Sequence, residues 1–410
     1  MKLRNVETGE EDRRKVIRVM EGSPLRVEEK ELLTAQGYVL AEDVCARENV
    51  PLFRRSTVDG YAVRAADTGG AGESIPAFLR IVGEVEMGRA PEMEVTPGTC
   101  VYVPTGGMIP EGADGVVMVE YCELFSDTEA AVYKPVPVGA NIVEAGDDMK
   151  EGQKVLEKGT KITPQAIGAL AALGITRVRT YCPWKITVIS TGDELVAPRE
   201  TPKPGQVRDI NTYGIYAAAR RMGFEVAECA VLKDDRELLL ETARKGMEHS
   251  DIVVISGGSS QGKKDETNSV IDELASEGAF THGLALKPGK PTILGYDRPT
   301  QTLLAGLPGH PAAAMLVFRL VIGWLWRAST GEMEPYPRTA AISTNLPAAP
   351  GKLTCQLVHL ARLEDGSLSA IPIFGRSGLI STLSGADGYI LIEENKEGLK
   401  KGERVSVYEI

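Results

Sequence analysis

This sequence is poor in the side chains that build most transition-metal centres. Its 410 residues include four histidines and six cysteines, with no C-x-x-C motif and no pair of histidines at ligand spacing. Zinc and iron centres rely on clustered Cys and His ligands, so we do not expect one here. Scattered free thiols are typical of a reduced, cytoplasmic protein rather than a disulfide-bonded secreted one.

The chain also lacks an excess of positive charge and a long apolar run. Lys and Arg total 46 against 57 Asp and Glu, a formal net charge of −11, which argues against a general nucleic-acid or anionic-membrane surface. The N-terminus is too charged for a signal peptide. The most apolar stretch, 311–326, is short for a bilayer span and contains Arg319, so it is interpreted as a buried helix. An anionic ligand would therefore need a local pocket.

The composition, with 43% hydrophobic and 25% charged residues, is that of an ordinary globular protein, and 410 residues are enough for two to four domains. Helical patterns over 10–20, 28–36 and 163–173, the last with Pro164 in its first turn, flank a Gly- and Pro-rich segment of short alternating runs. We therefore predict a discontinuous N-terminal and linker domain (1–48 and 138–181) with an inserted β domain (49–137).

From Lys185 the pattern alternates between strand and helix. Predicted strands are 186–190, 226–232, 251–256 and 302–305, and predicted helices are 212–222, 236–249, 268–276 and 310–327, with Asn211 and Thr267 as caps. This predicts a doubly wound, parallel α/β domain (182–330), whose ligand lies beyond the carboxyl ends of the strands. A C-terminal β domain, barrel or sandwich, follows (331–410).

The segment from Asp251 to Lys290 contains the central candidate ligand site of the chain. An apolar, β-branched strand runs directly into Gly257, Gly258, Ser259 and Ser260, where backbone N–H groups can approach a ligand closely. Downstream, Lys287 and Lys290 stand on a Pro-flanked turn. This combination of backbone N–H groups and cations indicates a binding site for a phosphorylated ligand. The alternative is an ordinary Gly-rich turn with solvated lysines.

Carboxylates follow several of the predicted strands: Glu194, Asp234, Asp235 and Asp265. Acids beside bound phosphate indicate Mg²⁺. For Asp234 and Asp235, helix capping is an equal alternative. Ser256, Ser259 and Ser260 have no histidine placed to activate them, and His310 could contact ligand or simply begin a helix.

Six motifs in order resemble the molybdopterin molybdenumtransferase family, to which the E domain of gephyrin is related. Each is weak alone, but together they span nearly the whole chain: STVDGYA (56–62), PTGG (104–107) with GAD (112–114), STGDEL (190–195), SGGSS (256–260) with Asp265, KPGKP (287–291) and LPGHP (307–311).

The resemblance implies Mg²⁺-dependent insertion of molybdate, or tungstate, into adenylylated molybdopterin, with release of AMP. It also implies an elongated homodimer whose active cleft lies between the α/β domain of one subunit and the inserted β domain of the other. A molybdopterin-adenylating protein and apo-molybdoenzymes are the implied partners. Carried over to this sequence, the catalytic positions are Asp59, Thr105, Asp148, Glu194 and Asp265.

The binding positions implied by the resemblance are Gly257, Gly258, Ser259, Ser260, Lys287, Lys290, Pro308 and His310, and the metal positions are Asp234, Asp235 and Asp265. His310 stands where many members carry Asn, and 261–264 is unusually basic. Two other functions stay open. The α/β half alone also resembles a molybdopterin-adenylating domain, and the gephyrin relation permits a scaffold protein, for which a long linker or fused enzyme domain would be expected.

Overall fold

The computed structural model describes residues 9–20, 25–257, 266–375, 378 and 380–410. In chain order its α-helices are α1 (Gly9–Met20), α2 (Pro164–Ala172), α3 (Asn211–Arg221), α4 (Arg236–Met247), α5 (Glu266–Leu274), α6 (Pro311–Val317), α7 (Trp324–Thr330) and α8 (Ile380–Ser384). Short 3₁₀ turns cover Leu32–Thr34, Ala65–Thr68 and Val119–Tyr121, and a π-helical segment, Phe318–Gly323, joins α6 to α7.

Three antiparallel strand pairs join the chain segments on either side of residues 60–132: Val27–Glu31 with Arg177–Tyr181, Val44–Cys45 with Lys154–Leu156, and Arg55–Ser56 with Ile142–Val143. Helix α2 packs into one core with residues of the first two strand pairs, and it begins as its sequence predicts. Thr163 precedes it, accepts a hydrogen bond from the Ala166 N–H at 3.2 Å, and is followed by Pro164. The domain boundaries given above stay predictions.

The helix predicted for residues 28–36 is wrong. Val27–Glu31 is a strand and Leu32–Thr34 a 3₁₀ turn. On the partner strand, the Arg177 guanidinium donates to Glu29 and Glu31, two residues apart on one face. Cross-strand charge pairing of this kind stabilises a polar strand whose local sequence would tolerate a helix.

A six-stranded sheet occupies residues 60–132. Its strand order is Gly115–Met118, Gly60–Val63, Thr99–Val103, Ala77–Glu84, Glu129–Val132 and Cys122–Ser126. Alternate residues of Gly60–Val63 fill two cores, with Ala62 in one and Tyr61 and Val63 in the other. The sheet is therefore covered on both faces, as expected for a small independent β unit.

The central sheet has the order Glu225–Leu232, Lys185–Thr191, Ile252–Ser256, Thr302–Leu307, Ile293–Asp297 and Ala279–His282. The first four strands are parallel, and the last two form an antiparallel edge that the sequence pattern did not indicate. In Ile252–Ser256, Val254 packs into one core and Val253 and Ile255 into another. Burial on both faces explains the uninterrupted apolar run of this strand.

The helical stretch Pro311–Thr330 has the length and apolarity of a membrane span, yet 56% of its most apolar window is buried inside the protein. Its Trp326 packs edge-on against Trp184 and Phe224, with ring centroids 5.0 and 5.4 Å apart. This burial agrees with the interpretation of 311–326 as a core helix.

The last sheet contains Arg338–Ile342, Leu353–Arg362, Leu368–Pro372, Gly388–Ile392 and Arg404–Val407. The short strand Leu286–Lys287 joins it from outside the C-terminal segment, pairing in parallel with Leu353 and Thr354. Small pairs are formed by Leu346–Pro347 with Gly398–Leu399 and by Leu195–Val196 with Val207–Arg208. The chain is thus a multidomain α/β and β protein, and the predicted fold class is confirmed.

Candidate active site at the carboxyl edge of the central sheet

Three neighbouring parallel strands end at the same level. Ser190 lies opposite Ser256, and Ser256 lies opposite Leu307. The loops that follow, beginning at Gly192, Gly257 and Pro308, therefore meet at one edge of the sheet. This is the position at which doubly wound sheets bind ligands.

Gly257 turns the chain sharply after its strand. Its φ is +119°, and a Cβ there would lie 2.1 Å from the carbonyl oxygen of Thr191, so only glycine fits. The Gly257 carbonyl accepts a hydrogen bond from the Thr267 hydroxyl at 2.9 Å. Thr267 lies inside α5 rather than at its cap, so the predicted capping role is wrong. Gly258, Ser259, Ser260 and Asp265 lie outside the described residues.

The side chain of Asn211 bridges two of these loops. Its Nδ2 donates to Ser256 Oγ and to the Gly309 carbonyl, both at 2.8 Å. Asn211 is the first residue of α3 and not its cap, and the nearby Asp209 carboxylate instead accepts from the Thr212 N–H at 3.2 Å. The predicted capping role of Asn211 is therefore wrong, because tertiary hydrogen bonds take up its side chain.

In the acidic loop that follows the strand Glu225–Leu232, the side chains of Asp234 and Asp235 both accept hydrogen bonds that hold the loop in place. Asp234 Oδ1 accepts from the Thr191 hydroxyl at 2.8 Å. Asp235 Oδ1 accepts from the N–H groups of Glu237 and Leu238, both at 3.0 Å, and so caps α4. The capping alternative holds for Asp235, and Asp234 ties its loop to the neighbouring strand end.

The loop at Asp234 and Asp235 presents oxygen donors of the kind that a hard divalent metal ion takes. Among the residues that the structure describes, no group of three His, Cys, Asp or Glu side chains is placed to hold a metal ion. Asp234 and Asp235 each have one carboxylate oxygen engaged as above. Mg²⁺ commonly takes one or two carboxylates, with waters and phosphate oxygens completing its shell. Two adjacent exposed carboxylates fit that requirement.

Glu194 lies at the exposed rim of the site. Its carboxylate folds over the preceding turn, since a Cβ on Gly192 would lie 2.7 Å from Glu194 Oε2. The Lys233 ammonium donates to the carbonyls of Asp193 and Leu195 at 2.7 and 3.0 Å, which fixes this turn against the acidic loop. Glu194 thus lies on a turn that the Lys233 side chain holds in place.

The predicted cationic residues lie where the central sheet meets the C-terminal β domain. Lys287 and Lys290 are exposed, and Lys287 belongs to the strand that pairs with Thr354. Pro308 is buried, and its carbonyl accepts from Ser256 Oγ at 3.4 Å. His310 precedes α6, and its ring lies 3.6 Å from where a Cβ on Gly378 would stand.

Asp59 and Thr105 are in direct contact within the inserted sheet. Thr105 donates to Asp59 Oδ1 through both its backbone N–H, at 2.7 Å, and its hydroxyl, at 2.9 Å. These two bonds lower the pKa of the exposed Asp59 carboxyl, and the backbone bond has the larger effect. Asp148 is exposed on a separate turn, where its N–H donates to the Val50 carbonyl. The site positions of the sequence analysis stay predictions.

Two buried acceptors at the start of α3 were missed by sequence reasoning. Asp209 is 3% exposed, and neither its Oδ2 nor Asn211 Oδ1 has a hydrogen-bond partner in the described part of the chain. The signal that could have found them is the D-x-N spacing that opens a helix next to the predicted ligand edge, here Asp209 and Asn211.

Comparisons with known proteins agree with this architecture. Family models match residues 7–174 (MoeA N-terminal region, domain I and II), 187–327 (probable molybdopterin binding domain) and 339–410 (MoeA C-terminal region, domain IV).

The chain is 33% identical to a Methanocaldococcus jannaschii protein named for molybdopterin biosynthesis, covering 93% of this chain and 92% of that protein. It is 31% identical to the molybdopterin molybdenumtransferase of Haemophilus influenzae, with 94% of each chain covered. A crystal structure of a molybdopterin biosynthesis MoeA protein from Pyrococcus horikoshii superposes with a TM-score of 0.80 at 34% identity, covering 99% of each chain. The chain belongs to the MoeA family, the molybdopterin molybdenumtransferases.

Proposed function

We propose that this protein is a transferase of molybdenum cofactor biosynthesis, which inserts molybdate into adenylylated molybdopterin and releases AMP. The observation that carries the proposal is the turn at Gly257. Its backbone is held in a conformation that only glycine adopts, at the carboxyl edge of the sheet, inside the segment that matches a molybdopterin binding domain. Relatives named as molybdopterin molybdenumtransferases support the reaction class.

The anionic ligand would lie on the backbone N–H groups that follow Ser256, with Lys287 and Lys290 neutralising its phosphates. Both lysines are exposed. Each charge-assisted hydrogen bond of this kind contributes roughly 1.5–3 kcal/mol. A local cationic site explains how a chain of net charge −11 can bind an anion.

Asp234 and Asp235 would hold Mg²⁺ through their remaining carboxylate oxygens, together with Asp265. When bound, the ion lowers the repulsion between two anionic reactants and polarises the phosphoanhydride. The chain's own contribution is to keep both carboxylates in place, Asp234 through Thr191 and Asp235 through the start of α4.

Asp59 and Thr105 would act from the partner subunit of a homodimer. Within one chain, neither side chain is hydrogen-bonded or ion-paired to the described residues of 182–330; they bond to each other. An ionised carboxylate can only accept hydrogen bonds, so Asp59 would hold a water or a protonated molybdate oxygen. Asp148 and Glu194 would border the same cleft.

A molybdate oxygen serves as the nucleophile in this scheme, so no protein nucleophile is required. Ser256, a described serine at the ligand edge, accepts from Asn211 and donates to the Pro308 carbonyl. Its hydroxyl is thus engaged in holding loops together.

We also propose that the protein works in the cytoplasm, receives its substrate from a molybdopterin-adenylating protein, and passes its product to apo-molybdoenzymes.

The reaction is tested by incubating the protein with adenylylated molybdopterin, molybdate and Mg²⁺. We expect AMP and active cofactor to appear in equal amounts, with the cofactor measured by reconstitution of an apo-molybdoenzyme. A parallel incubation with molybdopterin and ATP tests the adenylyltransferase alternative. Consumption of ATP there, without insertion in the first assay, would replace the proposal with that alternative.

A further inference from the structure

Asn211 has one side-chain atom whose hydrogen-bonding need the protein leaves unmet. Its Nδ2 is fully engaged, with Ser256 Oγ and the Gly309 carbonyl both at 2.8 Å. Its Oδ1 is buried and has no partner in the described ranges. Buried polar atoms in native proteins are nearly always paired, so an orphaned acceptor at a ligand edge calls for a donor from elsewhere.

The orientation of this amide is fixed by its neighbours. The Gly309 carbonyl can only accept, so the group that faces it must be the amino group of Asn211. Turning the amide over would place two acceptors against each other at 2.8 Å. The unpaired atom is therefore the carbonyl oxygen, which needs a donor.

The start of α3 presents acceptors where helix N-termini usually present donors. Asp209 Oδ1 already takes the Thr212 N–H, and Asp209 Oδ2 is a second buried acceptor without a partner in the described residues. A phosphate has no donor to offer this face. A group with N–H or O–H bonds does.

We propose that Asn211 contacts the ligand directly, its Oδ1 accepting a hydrogen bond from a donor-bearing part of the substrate, while its Nδ2 holds the turns at Ser256 and Gly309 in register. This inference rests on the function proposed above. The donor is an N–H of the pterin ring or an O–H of the ribose. The phosphates then face away from α3, toward the Gly257 turn.

The test compares Asn211→Ala and Asn211→Asp with the wild type, with Thr212→Val as the matched control. Thr212 is the next residue, and its hydroxyl donates to Ser190 Oγ at 2.8 Å in a buried position. Thr212→Val therefore removes a buried hydrogen bond from the same helix start without touching Asn211. Dissociation constants are measured separately for AMP and for molybdopterin, and melting temperatures are recorded for every variant.

We expect Asn211→Ala to raise the dissociation constant about tenfold for the ligand that supplies the donor, and Thr212→Val to change neither constant by more than about twofold. A change for molybdopterin alone assigns the donor to the pterin ring, and a change for AMP alone assigns it to the ribose. Asn211→Asp keeps an acceptor but loses both donations. At about 0.5 M salt the added charge of Asn211→Asp is screened. Under that condition Asn211→Asp should bind the ligand more tightly than Asn211→Ala does, although its melting temperature is no higher.

A purely structural Asn211 would give another pattern, in which affinity follows melting temperature across all three variants. That pattern, or unchanged dissociation constants in Asn211→Ala, would overturn the inference and leave the proposed function intact. Binding of neither ligand by the wild type would overturn both.

Discussion

Thr105 donates two hydrogen bonds to a single oxygen of Asp59, one from its backbone and one from its hydroxyl. Both bonds favour the ionised carboxylate, and they lower the pKa of Asp59 although the group is exposed to solvent. Asp59 precedes the strand Gly60–Val63 and Thr105 follows the adjacent antiparallel strand Thr99–Val103, so the fold keeps the carboxylate charged through a neighbour that is 46 residues away in sequence.

Thr105→Val removes the hydroxyl bond and keeps the backbone bond. The pKa of Asp59 should then rise toward its ordinary value, so the carboxylate is protonated at a higher pH. We expect the acidic limb of the pH–activity profile to move to higher pH, with the rate at neutral pH less affected. Thr128→Val, on an exposed turn of the same sheet, is the control. An unmoved acidic limb would show that ionisation of Asp59 does not limit the rate.

Asp59→Asn should abolish most of the insertion activity while leaving ligand binding intact. The neutral amide lacks the negative charge and one of the two acceptor oxygens, so it would hold a water or a protonated molybdate oxygen less well, and we expect the rate to fall about 10²-fold. The measurement pairs insertion rate with the dissociation constant for molybdopterin. Asp67→Asn, which alters an acid that accepts from the Gly98 N–H in the same segment, should leave the rate unchanged. Normal insertion by Asp59→Asn would remove Asp59 from the mechanism.

Gly257→Ala should destabilise the protein, because a methyl group at φ +119° meets the Thr191 carbonyl. The backbone strain alone is of order 1–3 kcal/mol. Gly168→Ala offers the opposite case within α2, where a Cβ has open space, and should stabilise by up to about 1 kcal/mol. Urea unfolding of both variants gives the comparison. Equal stabilities would mean that the turn at Gly257 is easily rearranged.

Lys287→Ala should weaken ligand binding, and more so at low salt. The Debye length falls from about 10 Å at 0.1 M to about 3 Å at 1 M, so the lost charge matters less as salt rises. Lys245→Ala, which removes a lysine paired with Glu241 on the outer face of α4, should show neither effect. The check is a salt titration of the dissociation constant. A loss of affinity that is independent of salt would indicate that Lys287 acts through packing.

Asp235→Ser separates helix capping from metal binding. Serine caps helices about as well as aspartate, so stability should stay within about 0.5 kcal/mol of the wild type, whereas Asp235→Ala should lose about 1 kcal/mol. If the carboxylate also holds Mg²⁺, Asp235→Ser and Asp234→Asn should both need more Mg²⁺ for half-maximal activity. An unchanged Mg²⁺ requirement in both variants would leave only the structural roles seen here.

Sequence patterns predicted the central architecture well because its signals are local. Ile252–Ser256 is apolar throughout since both of its faces are buried, and α2 has its cap, its proline and its terminating glycine in sequence. Residues 28–36 were predicted to be a helix because nothing nearby in sequence marks a strand. The strand Val27–Glu31 is stabilised by Arg177, which lies nearly 150 residues further along the chain. No local pattern contains that pairing.

Contacts between residues distant in sequence were also missed at the candidate active site. Asn211 and Thr267 look like helix caps, because Asn and Thr before a helical pattern usually are. In the fold, Ser256, Gly309 and Gly257 offer these side chains tertiary partners that their neighbours in sequence do not. The contact between Asp59 and Thr105 was not predicted; resemblance to a family named both residues but did not pair them.

Lys287 belongs to the α/β segment by its position in the chain, yet its strand is hydrogen-bonded to the C-terminal sheet beside Leu353 and Thr354. Any tilt of that sheet must carry the ammonium group with it. In the function proposed above, the distance from Lys287 to a ligand phosphate would therefore depend on the angle between the α/β and C-terminal domains. A ligand that closed this angle would strengthen its own charge–charge contact with Lys287.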